Sequence, residues 1–160
     1  MRVGWGVDAH RFAVDGRVLL AGVVADPNRG IEATSDGDVA AHALIDALLG
    51  AAALGDLGAF YPSADSRWIG ADSMAMLADA AGRVVDSGYS ISSVDLTVVA
   101  ETVAVDPIRD EMRSALATTL QIPFEAVSVK ATTSDGLGFT GRDEGLAALA
   151  VAVLDGATTE

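Results

Sequence analysis

The sequence contains two histidines, and each stands among carboxylates at a spacing that could serve a cation. His42 lies in Ser-Asp-Gly-Asp-Val-Ala-Ala-His-Ala-Leu-Ile-Asp-Ala-Leu-Leu-Gly at 35–50, which reads as a loop entering a helix. Asp38 suits the N-cap, where a short acidic side chain accepts from the first free amides and meets the positive end of the helix dipole. Asp38, His42 and Asp46 follow at intervals of four and share one helical face. A ring nitrogen of His42 could therefore ligate a metal while a neighbour orients the other nitrogen. Equally, His42 could be a half-buried histidine among ordinary carboxylates. His10 belongs to Asp8-Ala9-His10, at the end of a run that reads as a strand. Residues i and i+2 of a strand point the same way, so Asp8 and His10 project together. One carboxylate and two imidazoles make three protein ligands with a fourth position open, the stoichiometry of a catalytic zinc site rather than a structural one.

The elements that must hold these groups can be read in order. Arg2 to His10 is a strand, and Arg17 to Ala25 alternates weakly as a second, after an Asp15-Gly16 turn. Residues 38–54 form the central helix, its apolar stripe Leu44, Ile45, Leu48 and Leu49, ended by the glycines of Gly55-Asp56-Leu57-Gly58. Tyr61 to Gly70 is a loop, and Asp72 or Ser73 starts a helix that stops near Ser87-Gly88. Val94 to Val99 and Val127 to Thr132 are β-branched strands. Asp106-Pro107 predicts an N-cap followed by proline at the first position of a helix running to about Gln121. Leu146 to Leu154 is open between helix and strand on its residues alone. Strands and helices in this order predict an α+β fold with helices layered on one face of a sheet.

The chain of 160 residues predicts one domain, 1–160, with a substantial apolar core. Its 23 acidic and 10 basic side chains give a formal net charge of −13. Nucleic-acid binding, which needs a basic footprint, is not expected. A phosphate substrate would be repelled by the general field, so bound metals and a few placed cations must overcome it. The absence of cysteine excludes disulfides and thiolate metal sites. With no signal-peptide pattern and no membrane-spanning apolar run, a soluble, cytoplasmic protein is expected.

The motif around His42 strongly resembles one family. So do Gly-Val-Asp-Ala-His-Arg-Phe at 6–12, Ala-Leu-Gly-Asp-Leu-Gly at 53–58, Gly-Ala-Asp-Ser at 70–73 and Val-Lys-Ala-Thr-Thr-Ser-Asp-Gly-Leu-Gly-Phe-Thr-Gly-Arg-Asp-Glu-Gly at 129–145. The family is 2-C-methyl-D-erythritol 2,4-cyclodiphosphate synthase, a lyase of non-mevalonate isoprenoid biosynthesis. The resemblance implies a strand for 146–154 and a homotrimer, the sheets of three subunits packing around a trimer axis with active sites between subunits. It implies that the 2-phosphate of 4-diphosphocytidyl-2-C-methyl-D-erythritol 2-phosphate attacks the β-phosphorus of its own diphosphate and expels CMP.

Asp8, His10 and His42 match the family's zinc ligands, and Asp8 and His10 its substrate contacts as well. Thr34 and Ser35 match the loop that positions the diphosphate; Asp56 and Gly58 match a ribose-binding turn. Ser63 and Asp65 fall in the segment that meets the methylerythritol. Ala100 and the loop 101–106 match the cytosine pocket, Thr132 and Thr133 the phosphate contacts, and Ala131 falls among the substrate-binding positions. Catalytic roles are implied for Thr133 and for Asp135, the latter as the protein contact of a magnesium or manganese ion on the diphosphate. Phe139 and Arg142 resemble channel residues that can meet an isoprenoid diphosphate; the Gly-x-Gly-x-x-Gly spelling at 136–141 is not read as a dinucleotide motif, because no Rossmann unit follows. Lys130, the only lysine, could add charge beside the phosphates or be merely solvated.

Five positions depart from the family pattern. Thr34 stands for a usual histidine, Ser63 for an aspartate, Val103-Ala104 for a proline–lysine pair, and Asp135 for a glutamate. Two other readings stay open on these residues: a metal-dependent phosphohydrolase, and a catalytically weak trimer that binds isoprenoid diphosphates.

Overall fold

In the computed structural model, which describes residues 1–156, seven strands and five helices are arranged around one five-stranded sheet. Residues 157–160 of the expected domain lie outside the described residues. β1 (Arg2–Ala13) carries the first candidate ligands. β2 (Val18–Leu20) and β3 (Val23–Asp26) form a separate hairpin where one strand was expected, because Ala21-Gly22 turns the chain with both residues at positive φ. β4 (Gly30–Ile31), β5 (Tyr89–Val99), β6 (Val127–Thr132) and β7 (Gly145–Gly156) complete the sheet in the order β4-β1-β7-β5-β6. All its pairs are antiparallel except β5 with β6. The open segment 146–154 is thus a strand, and it is central.

One face of the sheet carries the helices. α1 (Val39–Ala52) lies on β1 and β7, α3 (Ser73–Asp86) on β5, and α4 (Arg109–Leu120) on β6. The short α2 (Leu57–Phe60) and α5 (Gly138–Gly141) sit in the connecting loops. Alternation along β7 buries Leu146, Ala148, Ala150, Ala152 and Leu154 beneath α1, with Val94, Leu96 and Val98 of β5 beside them. Val3, Trp5 and Val7 point to the other face, where the register sets Trp5 against Val151 and Val7 against Leu149, all exposed.

The contact of α1 with β1 fixes the candidate ligands. A Cβ at Gly4 would stand 2.2 Å from the Ala47 carbonyl oxygen, and one at Gly6 2.2 Å from that of Ala43. Glycine on the strand and alanine on the helix thus let the two backbones touch. Asp8 and His10 share that strand face and come next along it, so they meet the first turn of α1, where His42 lies.

Asp38 caps α1 as expected, but it does more. One oxygen accepts from the amides of Ala40, Ala41 and Ala21 at 3.0–3.1 Å, and the other from Gly22 at 2.7 Å. Burial pushes the carboxyl up against the pull of these amides. It therefore does not share a solvated face with His42; it ties the β2–β3 turn to the helix. The helix ends earlier than expected, at Ala53, which takes the left-handed conformation (φ 58°) itself. Asp106 does not cap a helix through its side chain: residues 106–108 form a 3-10 turn before α4, and its carboxylate pairs with Arg109.

Tyr61, α3 and the loop between them are tied by one carboxylate. The Tyr61 hydroxyl donates to Asp79 at 2.6 Å and Arg83 Nε to the same oxygen at 2.8 Å. The Tyr61 hydrogen bond, then Arg83, outweigh burial and hold the Asp79 carboxyl below its ordinary value. The native state therefore gives up this proton more readily than the unfolded chain. The stabilisation is complete above the unfolded pKa of about 3.9 and is lost as pH falls through the native value. Asp79→Asn should flatten the acid limb of a Tm-against-pH curve below about pH 4 relative to wild type; superimposable curves would discard this contribution.

Candidate active site

The strand face and the helix turn deliver three ligand atoms to one point. Asp8 Oδ2 lies 2.9 Å from His42 Nδ1 and 3.0 Å from His10 Nε2, and the two ring nitrogens are 3.3 Å apart. Ligand atoms about 2.0–2.1 Å from a tetrahedral ion stand about 3.3 Å apart, so this triangle fits a divalent cation. It is the cluster of metal-ligating side chains found among the described residues. Burial works against ionisation of Asp8, yet the hydrogen bonds and charge of His10 and His42 prevail and hold it well below the usual carboxylate range. Burial likewise pulls the His10 imidazole down, and Asp8 more than restores it.

The second nitrogen of His42 is not oriented by a carboxylate on α1. His42 Nε2 lies 2.9 Å from Ser73 Oγ and 3.1 Å from Ser35 Oγ, and Ser73 Oγ donates in turn to Asp36. With a cation held at Nδ1, Nε2 would carry the proton toward these hydroxyls. Asp46, expected beside His42, instead accepts from the Leu57 amide at 2.7 Å, and burial pushes its carboxyl up. Ser73 comes from the start of α3, too far along the chain for local spacing to associate it with His42.

The triangle opens on a cavity of about 140 Å³, lined by Asp8, His10, Thr34, Ser35, His42 and Ser63 together with Leu57, Tyr61, Trp68 and Met76. Trp68 was missed in the sequence: its indole Nε1 is buried in this wall with no hydrogen-bond partner. A second cavity of about 300 Å³ is lined by residues 100–106 with Ala131, Thr132 and Thr133. Ten of the expected site residues are thus divided between two cavities of one chain, and Asp56, Gly58, Asp65, Asp135, Phe139 and Arg142 line neither. Asp56 caps α2, accepting from the Ala59 amide, and Gly58 lies in that turn. Asp65 caps a 3-10 turn at Ser66–Trp68 and pairs with Arg67. Asp135, at φ 51°, lies within hydrogen-bond reach of Thr133 Oγ1. Phe139 lines a further cleft with His10 and Glu144, and Arg142 Nε pairs with Glu144 at 2.8 Å. Lys130 pairs with Asp95 across the exposed faces of β5 and β6.

Residues 1–155 match the description of the YgbB family. This chain belongs to that family. A 2-C-methyl-D-erythritol 2,4-cyclodiphosphate synthase from Salinibacter ruber is 51% identical, over 98% of this chain and 100% of that protein. One from Methylococcus capsulatus is 50% identical, over 96% of this chain and 97% of its own length. Among solved structures, the bifunctional IspDF of Campylobacter jejuni superposes with a TM-score of 0.94 at 41% identity, covering 97% of this chain and 42% of that one. An IspF from Plasmodium falciparum in complex with CDP gives a TM-score of 0.85 at 28% identity, covering 98% and 97%. The YgbB fold is therefore shared along the whole described chain, and no helix among the described residues is long and apolar enough to cross a membrane.

Proposed function

We propose that this chain is a 2-C-methyl-D-erythritol 2,4-cyclodiphosphate synthase, converting 4-diphosphocytidyl-2-C-methyl-D-erythritol 2-phosphate to the cyclic diphosphate and CMP. The observation that carries the reading is the Asp8–His10–His42 triangle opening on a cavity in a chain of this family. One oxygen of the 2-phosphate forms a bond to the β-phosphorus while the bond from that phosphorus to the oxygen bridging the diphosphate breaks. CMP departs with the bridging oxygen and the electron pair. A phosphate monoester has its second pKa near about 6, so the nucleophile is ionised without a general base. The protein must supply position and charge neutralisation.

Asp8, His10 and His42 would hold a zinc or similar divalent ion, which polarises a phosphate oxygen when bound. The hydroxyls of Thr34 and Ser35, which line the first cavity, and of Thr132 and Thr133, which line the second, would donate to phosphate oxygens. Asp135 would carry magnesium or manganese with the diphosphate, Asp56 and Gly58 the ribose, and Ser63 and Asp65 the methylerythritol. Ala100, Ala131 and the loop between 100 and 106 would hold the cytosine; the CDP bound in the Plasmodium falciparum relative supports a cytidine ligand.

The separation of the Asp8–His10–His42 cavity from the cavity of Ala100, Ala131, Thr132 and Thr133 is explained if the chain works as a homotrimer, each site completed by a neighbouring subunit. The exposed apolar strip Val3, Trp5, Val7, Leu149 and Val151 would then be buried around the axis, with Phe139 and Arg142 lining a channel open to an isoprenoid diphosphate. We read residues 1–160 as one cytoplasmic domain. Phosphorus NMR of the protein with zinc, magnesium and substrate should show the cyclic diphosphate appearing with equimolar CMP. A product ending in a free phosphate would assign the site to hydrolysis instead.

A further inference from the structure

We propose that Arg29 is a positioning residue for nucleotide binding: it clamps the loop at 100–106 from outside and sets the shape of the cavity that the loop lines. This rests on reading that cavity as the cytidine subsite.

The loop is held at three levels. Its start is fixed by the Ala100 amide donating to the Thr132 carbonyl at 3.1 Å. Beneath, Val103 and Val105 are buried in the core. Above, Thr102 is exposed and would be free to move but for two hydrogen bonds. Arg29 Nη2 donates to Thr102 Oγ1 at 2.8 Å, and Thr102 Oγ1 donates to Asp143 Oδ1 at 2.8 Å. Arg29 Nη1 donates to Asp143 Oδ2 at 2.8 Å, which closes a ring of three side chains. Arg29 is itself anchored: Nε donates to Asp26 Oδ2 at 2.8 Å, and the guanidinium lies over the Phe12 ring, 4.1 Å from its centroid. Asp143 holds its carboxylate there from a left-handed backbone (φ 55°), a conformation aspartate tolerates better than most residues.

All three nitrogens of one guanidinium are thus spent, on three different segments. Lysine has one nitrogen and no planar fork, so it cannot replace arginine here. The loop from Ala100 to Asp106 contains no proline to stiffen it. The clamp provides that stiffness before the ligand arrives, so binding does not have to order the loop.

The test is calorimetric titration of the metal-loaded protein with CDP, alongside steady-state kinetics. Arg29→Ala and Arg29→Lys should each weaken CDP binding about tenfold. KM should rise similarly with kcat within about twofold, and bound metal should be unchanged. Thr102→Val, a milder change at an exposed position, should reproduce part of the loss. Asp143→Asn combined with Arg29→Ala should be no weaker than Arg29→Ala alone, since one ring is broken once. Ala131→Trp, filling the cavity, serves as the reference. If it abolishes CDP binding while Arg29→Ala, or Arg29→Lys, binds as wild type, the clamp is wrong and the subsite stands. If Ala131→Trp binds CDP normally, the subsite reading itself fails and the clamp falls with it.

Discussion

His42→Ala is expected to lose bound metal and turnover together, each by at least about a hundredfold and turnover by about a thousandfold. His42 is the one ligand supplied by α1, so its removal leaves Asp8 and His10 with two of three corners of the triangle. The deletion also leaves the Ser73 and Ser35 hydroxyls facing an empty space instead of Nε2. Those losses are local: Ser73 keeps its bond to Asp36, and the core beneath α1 does not include the imidazole. The variant should therefore fold, with Tm within a few degrees of the metal-free wild type. Metal content by mass spectrometry and product formation by phosphorus NMR read the two effects separately. A variant without metal that turns over at the wild-type rate would remove the ligand triangle from the reaction.

The largest loss of stability is expected at a residue that touches no ligand. Asp38→Ala strips the acceptor from four amides, two in the first turn of α1 and two in the β2–β3 turn; those of Ala21, Ala40 and Ala41 are buried and that of Gly22 partly so. Each unsatisfied buried donor costs about 1–3 kcal/mol, and partial relaxation brings the expected total to roughly 3–5 kcal/mol. For a chain of this size that is a fall in Tm of about 10 °C. Asp38→Asn should recover only part, because its amide nitrogen must face at least one of the same N–H groups, donor against donor. Thermal unfolding followed by circular dichroism measures both. A Tm for Asp38→Ala within about 2 °C of wild type would mean that the hairpin amides find other partners.

These two aspartate and histidine positions show what one-dimensional spacing conveys. The period of two in Asp8-Ala9-His10 and the helical run after Asp38 were legible because strand and helix geometry depend on near neighbours. The order of strands and helices likewise carried the α+β class. What orients His42 was not legible. Spacing offered Asp46, on the same helix, whereas the hydrogen bonds come from Ser35 and Ser73, which only the docking of α3 brings near. Asp38 was read as a cap and as a carboxylate on the face of His42; its bonds to the β2–β3 turn could be seen only once that segment proved to be a hairpin. The helix ends at 53 and 109 were displaced for a similar reason. Packing sets Ala53 in a conformation that sequence reserves for glycine, and the Asp106 carboxylate is taken by Arg109. The site residues beyond the triangle came from resemblance to the family; their division between two cavities had no sequence signal.

The backbone contact between β1 and α1 has an evolutionary consequence. Gly4 and Gly6 can accept no side chain without colliding with helix carbonyls, and Ala43, Ala47 and Ala51 face them. Drift at any of these positions would have to be answered by a change across the interface, so a lineage has few single steps open to it there. The loops are under no such constraint. Thr34, Ser63, Val103-Ala104 and Asp135, where this chain parts from the family's usual residues, all lie in loops outside that seam. Adaptation to a new substrate or a new metal would therefore be recorded at the rim, while the seam beneath changes little.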